Sequence, residues 1–145
     1  MSEISPRLRV LNRLECLALL GQARIGRIGL SIGALPVILP VNYCLFSDQI
    51  LLRTSRGTKL AAATDHAVVA FEVDTFEVDG SAGWSVLVRG IASEVTDPRE
   101  LADARATPLI SWAVDGLADH YVTITTAEIS GRSFDRRAHP NLRSV

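Results

Sequence analysis

The sequence predicts a mainly β domain with short helices, arranged as a six-stranded antiparallel barrel. Three observations carry this reading. Apolar runs of strand length recur along the chain, most are joined by hairpin-type turn signals, and the helical segments are short and lie at the connections.

The chain's 145 residues fit a single domain, 1–145, with a core at about 12–134 and a basic tail at 135–145. A composition of 48% hydrophobic and 21% charged residues suffices to bury a sizeable core. Fifteen Lys and Arg against sixteen Asp and Glu leave a net charge of −1. That balance gives no general attraction for nucleic acid or anionic membranes. Cys16 and Cys44 stand in apolar surroundings without metal or pairing spacing, so both are expected as buried free thiols. The first residues lack a signal-peptide core, and no apolar run approaches the roughly 20 residues that span a bilayer. A soluble cytoplasmic protein is the expectation.

Asn12 and Glu15 have capping-box spacing, and Leu14, Leu17, Ala18 and Leu20 make an apolar stripe before Gly21. A short helix over 12–20 follows. Ile25, Ile28 and Leu30 among glycines suggest a strand, and Gly33-Ala34 a turn. Residues 36–45 form a β-rich run in which Pro40 marks an edge or bulge beside Val41 and Asn42. Ser47-Asp48-Gln49 reads as a hairpin turn before a strand at 50–54, and Thr58 caps a short helix to 64. Residues 67–73 read as a central strand, 74–83 as an acidic connection, and 84–95 as a long strand bent at Gly90. Asp97-Pro98-Arg99-Glu100 starts a helix to about 105. Residues 121–129 alternate as a last strand, and a less ordered basic tail follows from Gly131.

The stretch from Arg53 to Lys59 carries the main functional signal. A strand ends, Gly57 permits an unusual backbone angle, and the free N–H groups of a helix start favour an anion. Arg53 and Lys59 add charge, and Thr54, Ser55 and Thr58 add hydroxyls, a set suited to phosphate. The same spacing also fits a solvated turn. One strand earlier, the Asn42 amide offers a donor and an acceptor suited to a flavin's pyrimidine edge, and a proline bulge at Pro40-Val41 frees neighbouring backbone groups. Taken alone, the Asn42 amide is more simply read as satisfying a local turn. Trp84 could cover a planar cofactor or plug a barrel end. Arg89 could face solvent or an anion.

His66, His120 and His139 have no partner at metal-ligand spacing, so no metal site is expected. Hydrolase and Rossmann motifs do not occur. Glu72, Asp74, Glu77 and Asp79 read as a solvated acidic loop.

In order, Gly-Arg-Ile-Gly (26–29), Leu-Pro-Val-Ile-Leu-Pro-Val-Asn-Tyr (35–43), Leu-Leu-Arg-Thr-Ser-Arg-Gly-Thr-Lys (51–59), Val-Ala-Phe-Glu-Val-Asp (69–74) and Gly-Trp-Ser-Val-Leu-Val-Arg-Gly (83–90) resemble the pyridoxamine 5′-phosphate oxidase-like superfamily, over about 12–134. The match is nearest to a small actinobacterial branch. This resemblance implies a split β-barrel homodimer with two flavin sites at the subunit interface. It implies that Arg53, Thr54, Ser55, Thr58 and Lys59 hold the phosphate. Pro40, Val41 and Asn42 would lie along the ring, with Trp84 near it, from the partner subunit if not from the same chain. Ile-Ser-Gly-Arg (129–132) resembles the family's last strand. The substrate-phosphate residues of the true oxidases have no counterpart in the sequence, so vitamin B6 oxidation is not expected.

The expected function is therefore an FMN-dependent oxidoreductase acting on a small molecule, with no catalytic side chain assigned. The alternatives are a non-catalytic cofactor-binding module, a deazaflavin-binding relative, or a haem protein using His66 or His120.

Overall fold

The computed structural model describes residues 7–110 and 120–137. Its elements are β1 (Arg7–Leu11), α1 (Arg13–Leu20), β2 (Ile25–Ile32), β3 (Leu35–Asn42), β4 (Cys44–Phe46), β5 (Gln49–Thr54), α2 (Lys59–Ala63), β6 (Ala67–Phe76), β7 (Ala82–Glu94), α3 (Pro98–Arg105), β8 (His120–Ile124) and β9 (Glu128–Asp135). The strands form one antiparallel sheet of order β3-β2-β6-β7-β8-β5-β4, with β9 beside β7 and β1 beside β9. The path does not close on itself, which is the split of a split barrel.

Helix starts follow their capping residues. Asn12 accepts from the Glu15 N–H while Glu15 bonds back to the Asn12 N–H, and Asp97 accepts from the Arg99 and Glu100 N–H groups. Gly21 ends α1 at φ −70°, so its left-handed freedom is not used there. The predicted turns at Gly33-Ala34 and Ser47-Asp48 have positive φ at both residues, the geometry of tight hairpins.

The sheet holds nine strands rather than the six predicted. β1 pairs with β9, and its short alternation reads as a strand only because of that partner at the far end of the sequence. The predicted run 36–45 divides at Tyr43, whose N–H bonds to the Arg24 carbonyl. No bulge forms at Pro40: the β2–β3 register runs unbroken from Ile25↔Asn42 to Ile32↔Leu35, and β3 is instead an edge strand that tolerates proline. The run 121–129 divides into β8 and β9 beside Gly90. There β7 leaves β9 and takes up β8, and Thr125 crosses over it, its N–H bonding to the Ile91 carbonyl and its Oγ1 accepting from the Ile91 N–H. Residues 131–135, predicted as tail, belong to β9 because β1 and β7 pair with it on both sides.

The main core lies inside the curled sheet. Ile28, Ile50, Phe71, Val86, Val88, Val122 and Ile124 are fully buried there, with Cys16 and Leu20 of α1 beneath. Phe71 meets Tyr43 edge to face at 4.9 Å, and the Tyr43 hydroxyl donates to the Leu20 carbonyl. A second cluster of Leu51, Val95, Ala104, Leu109 and Tyr121 seats α3 on the other side of β5. Both cysteines are free, Cys44 only half-buried, and burial pushes both thiols up. Among the described residues no helix is long and apolar enough to cross a membrane.

Candidate functional site

At the end of β5 the chain turns through Ser55-Arg56-Gly57, and Gly57 takes φ +75°, a conformation that favours glycine. Thr58 then caps α2. Its Oγ1 accepts from the Ala61 N–H at 3.1 Å and donates to the Ser55 carbonyl at 2.9 Å, which locks the turn onto the helix. Thr54, nearly buried, brings its hydroxyl to 3.4 Å from that of Thr58.

The curl of the sheet carries β3 round to face this turn. Between them lies a groove of about 430 Å³ lined by Leu39, Pro40, Val41, Asn42, Arg53, Thr54, Ser55, Thr58, Leu60 and Ile110. Thus the ring-edge candidates Pro40, Val41 and Asn42 and the phosphate candidates Arg53, Thr54, Ser55 and Thr58, separated in sequence by a hairpin, share one concavity. Among the described residues its lining holds the cation Arg53 and no carboxylate. The Arg53 guanidinium carbon stands 5.6 Å from the centroid of the Tyr121 ring, its register partner on β8.

Two predicted residues are placed elsewhere. Lys59 is exposed at the first helical position of α2 and is not part of the groove lining. Trp84 lies opposite Thr75 and Ser133, lines a different cleft with Phe76 and Phe134, and packs against the main core. His66 is exposed and paired to its neighbour Asp65 at 2.7 Å, and neither His66 nor His120 lines the groove. His139 lies outside the described residues. Arg89 is exposed and pairs with Glu128.

A charge cluster on the outer face of the sheet was missed in the sequence. Glu72 and Asp74 lie in β6, not in a loop, and residues two apart on a strand share a face. Arg27 of β2 reaches both, at 3.0 and 3.1 Å. Partial burial, then the neighbouring Asp74, pushes the Glu72 carboxyl up to about 7, with Arg27 pulling the other way. The folded chain therefore holds a proton on Glu72 up to about pH 7, whereas the unfolded carboxyl releases it near its ordinary value of 4.5. Between those values the folded state binds more protons, so this group's stabilisation falls as pH rises through the window. Glu72→Gln, which mimics the protonated acid, is expected to leave stability unchanged near about pH 5 and to raise it near about pH 8. Discounted for the group's partial exposure, the gain is about 1 kcal/mol, or about 2–4 °C in a thermal melt. An equal change at both pH values would show that Glu72 is not the linked group.

A family profile, that of pyridoxamine 5′-phosphate oxidase, matches residues 12–133. The uncharacterised protein Rv0080 of Mycobacterium tuberculosis is 34% identical over 112 residues, which is 72% of this chain and 74% of that protein. Among solved structures, the FAD binding protein from Mycobacterium smegmatis is 35% identical with a TM-score of 0.74, covering 87% of this chain and 97% of that one. A conserved protein of unknown function from Corynebacterium diphtheriae is 29% identical with a TM-score of 0.72, covering 88% and 98%. With the profile spanning nearly all of the sheet and its helices, the chain belongs to the pyridoxamine 5′-phosphate oxidase family.

Proposed function

We propose that the chain is a flavin-dependent oxidoreductase acting on a small molecule, and that its groove grips the FMN moiety. The observation that carries this reading is the meeting of the Pro40–Asn42 edge and the Arg53–Thr58 turn in one groove. The residues present fit such a ligand. A guanidinium and the Thr54 and Ser55 hydroxyls suit a phosphate, Leu39, Val41 and Leu60 suit the flat ring, and Asn42 suits its pyrimidine edge. As β3 is an edge strand, backbone groups on its free side suit that edge as well. The M. smegmatis relative, named as binding FAD, supports a flavin over other phosphorylated ligands.

When bound, the flavin supplies the hydride chemistry. The chain's own residues orient it: Arg53, Thr54 and Ser55 fix one end, Thr58 locks the turn that presents them, and the apolar lining sheds water from the ring. Among the described residues the lining has no His, Asp or Glu to act as acid or base.

A homodimer belongs to the same proposal. Strand register puts Val10, Ile38, Val68, Leu87 and Ile91 on the outer face of the sheet, and Val10, Ile38 and Val68 are each at least 74% exposed. Large exposed apolar faces mark association surfaces. Size exclusion with in-line light scattering and visible absorbance tests both parts together. The expected result is twice the mass of one chain, co-eluting with flavin absorbance that bleaches when NADPH is added without oxygen. A flavin-free monomer that takes up no added flavin overturns the proposal, and a bound flavin that no reductant turns over leaves only a storage module.

A further inference from the structure

Across the phosphate turn from the groove lies a second hollow of about 320 Å³. Arg56, Thr58, Ala62, Asp65, Glu94 and His120 line it. Thr58 belongs to both concavities, so the two adjoin at a single residue. Thr54 of β5 and His120 of β8 are register partners, and directly opposed residues present their side chains on one face. A phosphate held at Thr54 and Ser55 would therefore have this hollow beside it.

The hollow is organised around one carboxylate. Glu94, the last residue of β7, lies 3.4 Å from the Arg56 guanidinium and 3.4 Å from Nδ1 of His120. It ties the β5–α2 turn to the start of β8, and the His120 side chain is only 11% exposed. Arg56 is largely exposed, and an exposed ion pair contributes little to stability, so its pairing with Glu94 is better read as orientation of the wall. The wall offers a guanidinium for a phosphate, a flat imidazole for a stacked base, and the Glu94 and Asp65 carboxylates for groups that donate. Adenylate carries all three complements: a phosphate, a planar base, and donors in its ribose hydroxyls and exocyclic amine.

We infer that the Arg56–Glu94–His120 hollow receives the adenylate half of a dinucleotide flavin, so that the site selects FAD over FMN. The inference rests on the flavin reading of the groove. It also disfavours the deazaflavin coenzyme, whose several oligoglutamyl carboxylates would meet Glu94 and Asp65 as like charges, whereas the single adenylate phosphate is met by Arg56.

Calorimetric titration of the full-length apoprotein with FMN, with FAD and with the deazaflavin coenzyme tests this. FAD is expected to bind at least about tenfold tighter than FMN, the equivalent of one charge-assisted bond. Arg56→Ala is expected to remove about that tenfold from FAD while leaving FMN within about twofold. Equal affinity for FMN and FAD, or tighter binding of the deazaflavin coenzyme, overturns the inference and leaves the groove assignment standing. Failure of every flavin to bind overturns both. The wild-type comparison is decisive even if the variant does not fold.

Discussion

Gly90→Ala is expected to destabilise the chain by about 3 kcal/mol, lowering the melting temperature by about 6–12 °C. A Cβ at position 90 would stand 2.0 Å from the Thr125 carbonyl oxygen, 2.7 Å from its Oγ1 and 3.0 Å from its carbonyl carbon. The obstruction is mainly backbone, so no side-chain rotation relieves it. Nor can the crossing segment retreat freely. Thr125 is bonded to Ile91 in both directions, and moving it breaks both bonds at the point where β7 passes from β9 to β8. Gly29→Ala is the matched control. Its Cβ would meet the Ala70 Cβ at 3.6 Å, an ordinary contact, and a near-wild-type melt is expected. If Gly90→Ala melts with the control, the crossing is looser than described.

The double variant Arg53→Ala, Lys59→Ala is expected to weaken FMN binding by about a hundredfold, while riboflavin, which lacks the phosphate, changes by less than about threefold. Arg53 lines the groove, and its guanidinium is stationed by Tyr121. Lys59 lies outside the lining, at the first position of α2 beside Thr58, so its share acts at longer range and falls with salt. The single variants separate the two. Arg53→Ala should carry most of the loss at high ionic strength, and Lys59→Ala should matter mainly at low ionic strength. Equal losses for FMN and riboflavin would point to damage of the groove itself rather than loss of a phosphate contact.

Some of this was legible in sequence because single residues encode it. Asn12, Thr58 and Asp97 each announce a helix by satisfying its first N–H groups, and the structure uses all three in that way. Gly33-Ala34 and Ser47-Asp48 announce tight turns for an equally local reason. The barrel's strand count was not legible to the same degree. β1 alternates Arg7, Leu8, Arg9 and Val10, a strand pattern too short to stand out at a terminus, and pairing with β9 from Arg7↔Asp135 to Leu11↔Gly131 makes it a strand. The break between β8 and β9 is likewise set by the crossing at Gly90, a contact between residues remote in sequence.

The same distinction divides the site. The β5–α2 turn is one continuous segment, so its character could be read directly. Its meeting with β3 depends on the curl of the sheet, which periodicity does not encode. Arg56 sits inside the segment that drew attention, yet its partners Glu94 and His120 come from other strands and had no local signal. Glu72 and Asp74 were readable in principle from their spacing of two in an apolar strand. The acidic run that follows them masked it, since its composition suggests a loop that in fact begins only after Phe76.

The central claim is that the groove between β3 and β5 holds the phosphate and ring of a flavin. It is tested most directly by calorimetric titration of the full-length wild-type protein with FMN and with riboflavin. FMN is expected to bind with a dissociation constant on the order of micromolar, and at least about tenfold tighter than riboflavin. Binding of neither, or of both equally, would contradict the account.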